Sequence, residues 1–213
     1  MHFFDVKLGT TEAIRIEVCM ILEGVVTTLD GEGRVNVSPM GPRVPPKMDR
    51  FTLKPYQTSQ TYQNLKRHNE GVFHVTDDVE LIARAAVGPV DPPLAPTRHV
   101  EGFYLRDACR IYEFRVRDLD EREERTIIEV DVVYRKRLRD FFGFNRARHA
   151  VLEAAILATR TAFIPIEDIL RQFQDLSVLV EKTGGEAEQR AFEFLRQYVV
   201  SQDELQRTGS EVR

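Results

Sequence analysis

The spacing of apolar residues changes period once along the chain, near Gly143. Before that point, β-branched and apolar runs bounded by turn signals predict strands. They cover residues 14–22, then 25–29 and 34–40 as a hairpin across the turn Asp30-Gly31-Glu32-Gly33, then 48–53, 71–76, 108–119 and 125–137. Two short helices interrupt this half. One starts at Ser59 and carries Tyr62 and Leu65. The other starts at Asp78, with Leu81, Ile82, Ala85 and Ala86 at helical spacing and Asp77 or Asp78 as its cap. Residues 88–99 hold four prolines and read as an irregular loop. The charged run at 118–125 reads as a solvated hairpin tip.

After Gly143 the pattern is helical. Ala147, Ala150, Val151, Ala154 and Ala158 form one stripe. Pro165 suits the first turn of a second helix, which Ile166, Ile169, Leu170, Phe173 and Leu176 would bury and Gly184-Gly185 would end. Ala191, Leu195, Tyr198 and Val199 mark a third, from about 186 to 200. The fold class is therefore a β-dominated α+β chain: a β-barrel-like domain over 1–140, a C-terminal helical subdomain over 141–200, and a disordered tail over 201–213, where there is little to bury.

Composition narrows the function. A net charge of −4 and a pI near 5.8 give no reason to expect nucleic-acid binding. No apolar run is long enough for a membrane span, and no secretion signal opens the sequence. Cys19 and Cys109 stand far apart among strand-type residues and read as small buried hydrophobes in a reduced, cytoplasmic compartment. The five histidines lack metal-ligand spacing, so no metal site is expected. The locally basic stretch 134–149, with six Lys or Arg and one Asp, has two readings: a solvated strand end and helix start, or a site for an acidic group.

Two segments carry the chemistry. In residues 34–41, alternation would put Val35 and Val37 into a barrel, leaving Asn36, Ser38 and Met40 to meet a planar polar ligand; Pro39-Met40-Gly41 would break the ladder and free backbone donors. In residues 51–65, a strand passes through Lys54-Pro55-Tyr56 into a helix whose first turn offers Thr58, Ser59 and Thr61. A helix N-terminus favours an anion, and Lys54 with Arg50 would add charge, so a phosphate monoester fits. An ordinary Ser/Thr cap explains the same hydroxyls. No nucleophile–base pair stands out, and the catalytic residues remain unassigned.

The runs NVSPMG (36–41), KPYQTSQTYQNL (54–65) and GVFHVTDD (71–78), with GFNRARHAVLEAAILATR (143–160) and LSVLVEKTGG (176–185), resemble the DUF447 family of the FMN-binding split-barrel superfamily, which also holds flavin reductases and pyridoxamine-phosphate oxidases. The resemblance implies a split β-barrel of the FMN-binding type and a homodimer with FMN at the subunit interface. It implies that Asn36, Val37, Ser38, Pro39 and Met40 border the isoalloxazine ring. Thr58, Ser59, Thr61, Tyr62 and Asn64 would surround the ribityl phosphate, with Thr76 close by, and Arg50 and Lys54 are the candidates for added charge named above. It further implies a flavin-dependent oxidoreductase or flavin reductase acting on a small molecule, with NAD(P)H or a pterin as candidate partners. A non-catalytic flavin carrier or sensor, and a split barrel holding F420 or haem, are the alternatives.

Overall fold

The computed structural model describes residues 19–211, with side chains described to residue 205. Strands β1 (Met20–Ile21), β2 (Gly24–Leu29), β3 (Val35–Met40), β4 (Arg43–Val44) and β5 (Arg50–Leu53) lead into helix α1 (Gln60–His68). Then come β6 (Glu70–Val75), α2 (Val79–Val87), β7 (Leu94–Pro96), β8 (Phe103–Leu105) and the long pair β9 (Arg110–Asp120) and β10 (Ile127–Arg137). Helices α3 (Arg146–Ala158), α4 (Ile166–Thr183) and α5 (Glu186–Glu211) follow. Of the first expected strand, residues 14–18 lie outside the described residues.

Eight strands form one antiparallel sheet in the order β1-β4-β5-β10-β9-β6-β2-β3. Its ends are covalent neighbours: only Leu22 and Glu23 separate β1 from β2, and only Gly41 and Pro42 separate β3 from β4. Two linking residues span at most roughly 10 Å, so the sheet must curl until its ends meet. The Leu22 N–H donates to the Pro42 carbonyl at 3.1 Å across that corner.

Inside the curl, Val26, Phe51, Leu53, Phe73, Phe114, Ile128 and Val130 are buried, and Tyr62 and Leu65 of α1 plug the open end. Phe51 meets Phe73 and Tyr112 edge-on at 5.3 and 5.6 Å, the arrangement aromatic quadrupoles favour. On the outer face, Val25, Val72 and Ile111 pack beneath Ile82 of α2 and beneath Val100 and Leu105.

The proline-rich segment is not wholly irregular: β7 and β8 pair as a two-stranded ribbon. A ribbon has two open edges, so Pro96 need not break a ladder. Buried polar groups of the sheet fasten this strap. The Glu113 carboxylate accepts the N–H groups of Arg98, His99 and Val100 at 3.0, 2.7 and 3.2 Å. Thr27 donates its hydroxyl to the Phe103 carbonyl at 2.6 Å. His74, fully buried, uses both ring nitrogens: Nδ1 donates to the Val25 carbonyl at 3.0 Å and Nε2 accepts the Leu105 N–H at 3.1 Å. That pairing fixes one neutral tautomer, and burial lowers the ring's pKa to about 4.

The alanine stripe of α3 is buried against Ile169 and Phe173 of α4 and Ala191 and Leu195 of α5. Val79 and Ala83 of α2 join that cluster, so α2 bridges sheet and helices. Helix α5 continues past residue 200, through the stretch assigned from composition to a disordered tail. Its Gln, Glu, Leu and Arg residues are good helix formers, and the extension exposes Leu205 by 65% because it has no face to bury. Residues 212–213 lie outside the described residues. Cys109 is buried, as expected of it, whereas Cys19 precedes β1 and is exposed.

Candidate functional site

The register of the β2–β3 hairpin decides which groups face a ligand. The turn is a three-residue loop with Gly33 in the left-handed region (φ 78°); the Gly33 N–H bonds the Asp30 carbonyl and the Asp30 N–H bonds the Arg34 carbonyl at 3.0 Å. Asp30 and Arg34 are thus a hydrogen-bonded pair. Alternating from there along the register, Asn36, Ser38 and Met40 also spend their backbone groups on β2. Val35, Val37 and Pro39 turn theirs the other way. Among the described residues β3 ends the sheet, so those groups form an open edge.

This corrects two expectations. Pro39 does not break the ladder: it pairs with Val25 at a position whose missing N–H would have pointed outward, and β3 runs on to Met40. Backbone donors are therefore offered at Val35 and Val37 rather than around Ser38–Gly41. The faces also exchange roles. Paired residues share a face, so Ser38 lies beside Val26 toward the curl, where Met40 packs on the inner core, whereas Val37 lies beside Thr27 and packs on the outer cluster with Ile82. Alternation was legible in sequence, but which set faced inward was not.

Helix α1 lies across the β2–β3 hairpin. The Asn64 side chain donates to Thr28 on β2 at 2.9 Å, and the Asn36 side chain on β3 donates to the Thr61 hydroxyl at 3.1 Å. Three residues of helix rise about 4.5 Å, close to the roughly 4.8 Å between strands. The helix therefore runs across the hairpin from β2 toward β3, with its first turn at the β3 end. The N–H groups of Gln60 and Thr61 have no partner within the helix at that end. Ser59 caps it, accepting the Tyr62 N–H at 3.2 Å and donating to the Tyr56 carbonyl at 2.7 Å.

On the opposite side of the edge, Ala85 of α2 with Gly88, Pro89 and Val90 of the strap closes a cleft of about 370 Å³ against Val35, Asn36, Val37 and Ser38. The start of the strap is thus a wall of the site.

The candidate residues sort into two groups. Asn36, Ser38, Lys54 and Ser59 are half-buried and Thr58 is exposed, so all can reach a ligand. Thr61, Tyr62, Asn64 and Thr76 are buried and hold the frame. Tyr62 donates its hydroxyl to Glu121, which also pairs with Lys66 at 2.7 Å. Thr76 accepts the Asp78 N–H at 3.1 Å, and Asp78, not Asp77, caps α2. Arg50 sits at the far end of β5 from Lys54, beside Asp131, and is not gathered with Thr58.

Beyond Met40, a side chain at Gly41 would collide with the Glu23 carboxylate. Burial and the neighbouring Glu153 of α3 push the Glu23 carboxyl up. Sequence spacing gave no signal for this pair, because residues 23 and 153 meet only through the packing of α3. The basic stretch 134–149 is largely occupied. Arg139 and Arg148 both pair with Asp77, at 2.5 and 3.3 Å, and Arg148 also pairs with Glu188 at 2.9 Å. Burial alone would raise Asp77, but Arg139, the Phe142 N–H and Arg148 outweigh it and hold the carboxyl at about 2. This network ties barrel to helices.

Against known proteins, two family models match: the DUF447 N-terminal domain, described as a protein of unknown function, over residues 22–139, and the DUF447 C-terminal region over 145–197. Nothing among curated proteins matches. Among solved structures, the FMN-bound protein MM1853 of Methanosarcina mazei, a DUF447 protein, superposes with a TM-score of 0.73 at 21% identity, covering 84% of this chain and 94% of that one. The flavin reductase HpaC complexed with NADP+ superposes with a TM-score of 0.51 at 18% identity, covering 57% of this chain and 81% of that one. The curled sheet is the FMN-binding split-barrel fold, and the chain belongs to the DUF447 family.

Proposed function

We propose that this protein is an FMN-binding flavoprotein with flavin-reductase-like activity toward a small molecule. The observation that carries the reading is a helix N-terminus tied to strand β3 by the Asn36–Thr61 bond. The donor set suits the cofactor: the first turn of α1, Thr58 and Lys54 would hold a phosphate, while Ser38 and the edge of β3 would border a flat polar ring. When bound, FMN supplies hydride or electron transfer at its ring. The chain's own residues orient the ring, and the strap wall at Gly88–Val90 limits what reaches it. The fold shared with an FMN-bound member of the family supports this reading over one in which the barrel holds haem.

The protein acts as a homodimer that closes over the ring, in a reduced cytoplasmic setting with NAD(P)H as electron donor. Exposed apolar side chains flank the candidate residues and support that arrangement: Ile21 beside Gly41, and Tyr56 two residues before Thr58.

The test is to saturate purified protein with FMN, desalt it and record the spectrum, then add NADH or NADPH anaerobically. Retained flavin bands that bleach on addition support the reductase. Retained bands that no nicotinamide bleaches leave a carrier, and a colourless protein refutes the flavin assignment.

A further inference from the structure

The end of the β9–β10 hairpin remote from its turn is basic and apolar at once. The register sets Arg137 directly opposite Arg110, and Arg135 opposite Tyr112. Paired residues share a face, as do residues two apart on a strand, so Arg110, Arg135 and Arg137 lie together on one face. Like charges directly opposite one another destabilise a ladder. Asp140 offsets Arg137 at 3.1 Å, and Arg139 and Arg148 are spent on Asp77. Among the described residues, Arg110, Arg135, Lys136 and Arg146 have no ion-pair partner.

From this end the chain passes to α3 through Phe141, Phe142, Gly143 and Phe144. Phe141 is 48% exposed, Phe142 85% and Phe144 95%. The loop is held in place. The Phe142 N–H donates to the Asp77 carboxylate at 2.8 Å, and the Arg148 guanidinium lies over the Phe142 ring at 5.3 Å. The Phe144 ring stacks on His149 at 6.2 Å. Gly143, at φ 111°, sits between the two most exposed rings in a conformation that suits glycine.

We propose that this end of the molecule docks reversibly on an anionic lipid surface, its phenylalanine rings entering the headgroup boundary and its unpaired cations meeting lipid phosphates. The charge selects that occupant. The chain as a whole carries −4, so a second copy is repelled on balance, whereas an anionic bilayer attracts this end. The rings also stand out from the surface rather than line a groove, which suits a fluid interface where aromatic side chains settle. A few rings and cations give weak, reversible binding. The proposal is independent of the FMN reading.

The chain contains no Trp, so Phe144→Trp in the full-length, FMN-saturated protein reports on this loop alone. Its emission is followed as vesicles are added, either of phosphatidylcholine or of an equal mixture of phosphatidylcholine and phosphatidylglycerol, and bound protein is measured by co-sedimentation. The expected result is a blue shift and sedimentation with the anionic vesicles only, reversed by salt. Each cation near the surface contributes about fivefold, so Arg135→Gln with Lys136→Gln weakens binding about 25-fold. Phe142→Ser with Phe144→Ser abolishes sedimentation and leaves the circular dichroism spectrum unchanged, because both rings are exposed.

Absence of a blue shift and of sedimentation with the anionic vesicles overturns the proposal. Binding that survives in the double serine variant does so as well, since it assigns the attraction to other parts of the molecule. Equal binding to neutral vesicles removes the role given to the cations and overturns it too. Should the double serine variant turn a dimeric wild type into a monomer in the ultracentrifuge, the loop belongs to a subunit interface and the proposal falls.

Discussion

Acid should loosen the strap through His74. The ring is fully buried, with both nitrogens committed to backbone groups of two different elements, so a second proton has no acceptor and breaks the bond from the Leu105 N–H. Its pKa falls from 6.5 to about 4 on folding, so the unfolded chain binds the proton more readily than the folded one. Stability is therefore complete above pH 6.5 and lost as the pH falls toward 4. A displacement of that size corresponds to about 3 kcal/mol. Urea titrations of the wild type and His74→Asn at half-unit steps between pH 4 and 7.5 isolate the effect. Glu23, whose carboxyl is pushed up by burial and by Glu153 and so acts with the opposite sign, is common to both proteins and cancels. Asp77, held at about 2, lies below the window. The expected result is a wild-type advantage that shrinks by about 3 kcal/mol across the range, with loss of hydrogen-exchange protection at Leu105 before the barrel opens. A difference that stays flat with pH would falsify the claim that burial keeps this ring neutral.

Replacing Glu113 by Ala leaves the N–H groups of Arg98, His99 and Val100 without their acceptor and should cost about 3 kcal/mol, read as a lowered urea midpoint together with faster proteolysis between residues 88 and 102. Unchanged proteolysis would mean that other contacts hold the strap. Asp77→Asn should destabilise by roughly 2 kcal/mol, since Arg139 and Arg148 lose a shared carboxylate, and the loss should diminish in acid as the wild-type carboxylate is protonated. Ser59→Ala removes the cap of α1 and should cost about 1 kcal/mol, measured by thermal unfolding; weakened FMN binding in the same variant would place the phosphate at this turn. Analytical ultracentrifugation of the FMN-loaded protein should give a dimer, and a monomer at micromolar concentration would sink the closed-interface model.

Local order was legible from sequence because it depends on near neighbours. Ser59 and Asp78 start helices where hydroxyl and carboxylate caps precede apolar spacing, and both accept the expected N–H. The stripes at Ala147–Ala158 and Ile166–Phe173 became the helical core because period 3.6 survives any packing partner. The hydroxyl-rich run at 58–61 and the polar positions 36 and 38 were likewise visible as candidates, and the fold joins Asn36 to Thr61.

What the sequence could not supply depended on which element lay alongside. Alternation in 35–40 specifies two faces without naming the inner one, and it gave Val37 to the core when the hairpin register turns it toward α2. Whether Pro39 interrupts a ladder depends on the phase set by the Asp30–Arg34 closure, and on β3 being an edge. The strap reads as loop until Glu113 and His74, far along the chain, supply its partners. Sequence alone determined the periods, caps and candidate chemistry, since these arise within a few residues. Tertiary structure decided faces, edges and enclosure, since each is a relation between segments that only folding brings together.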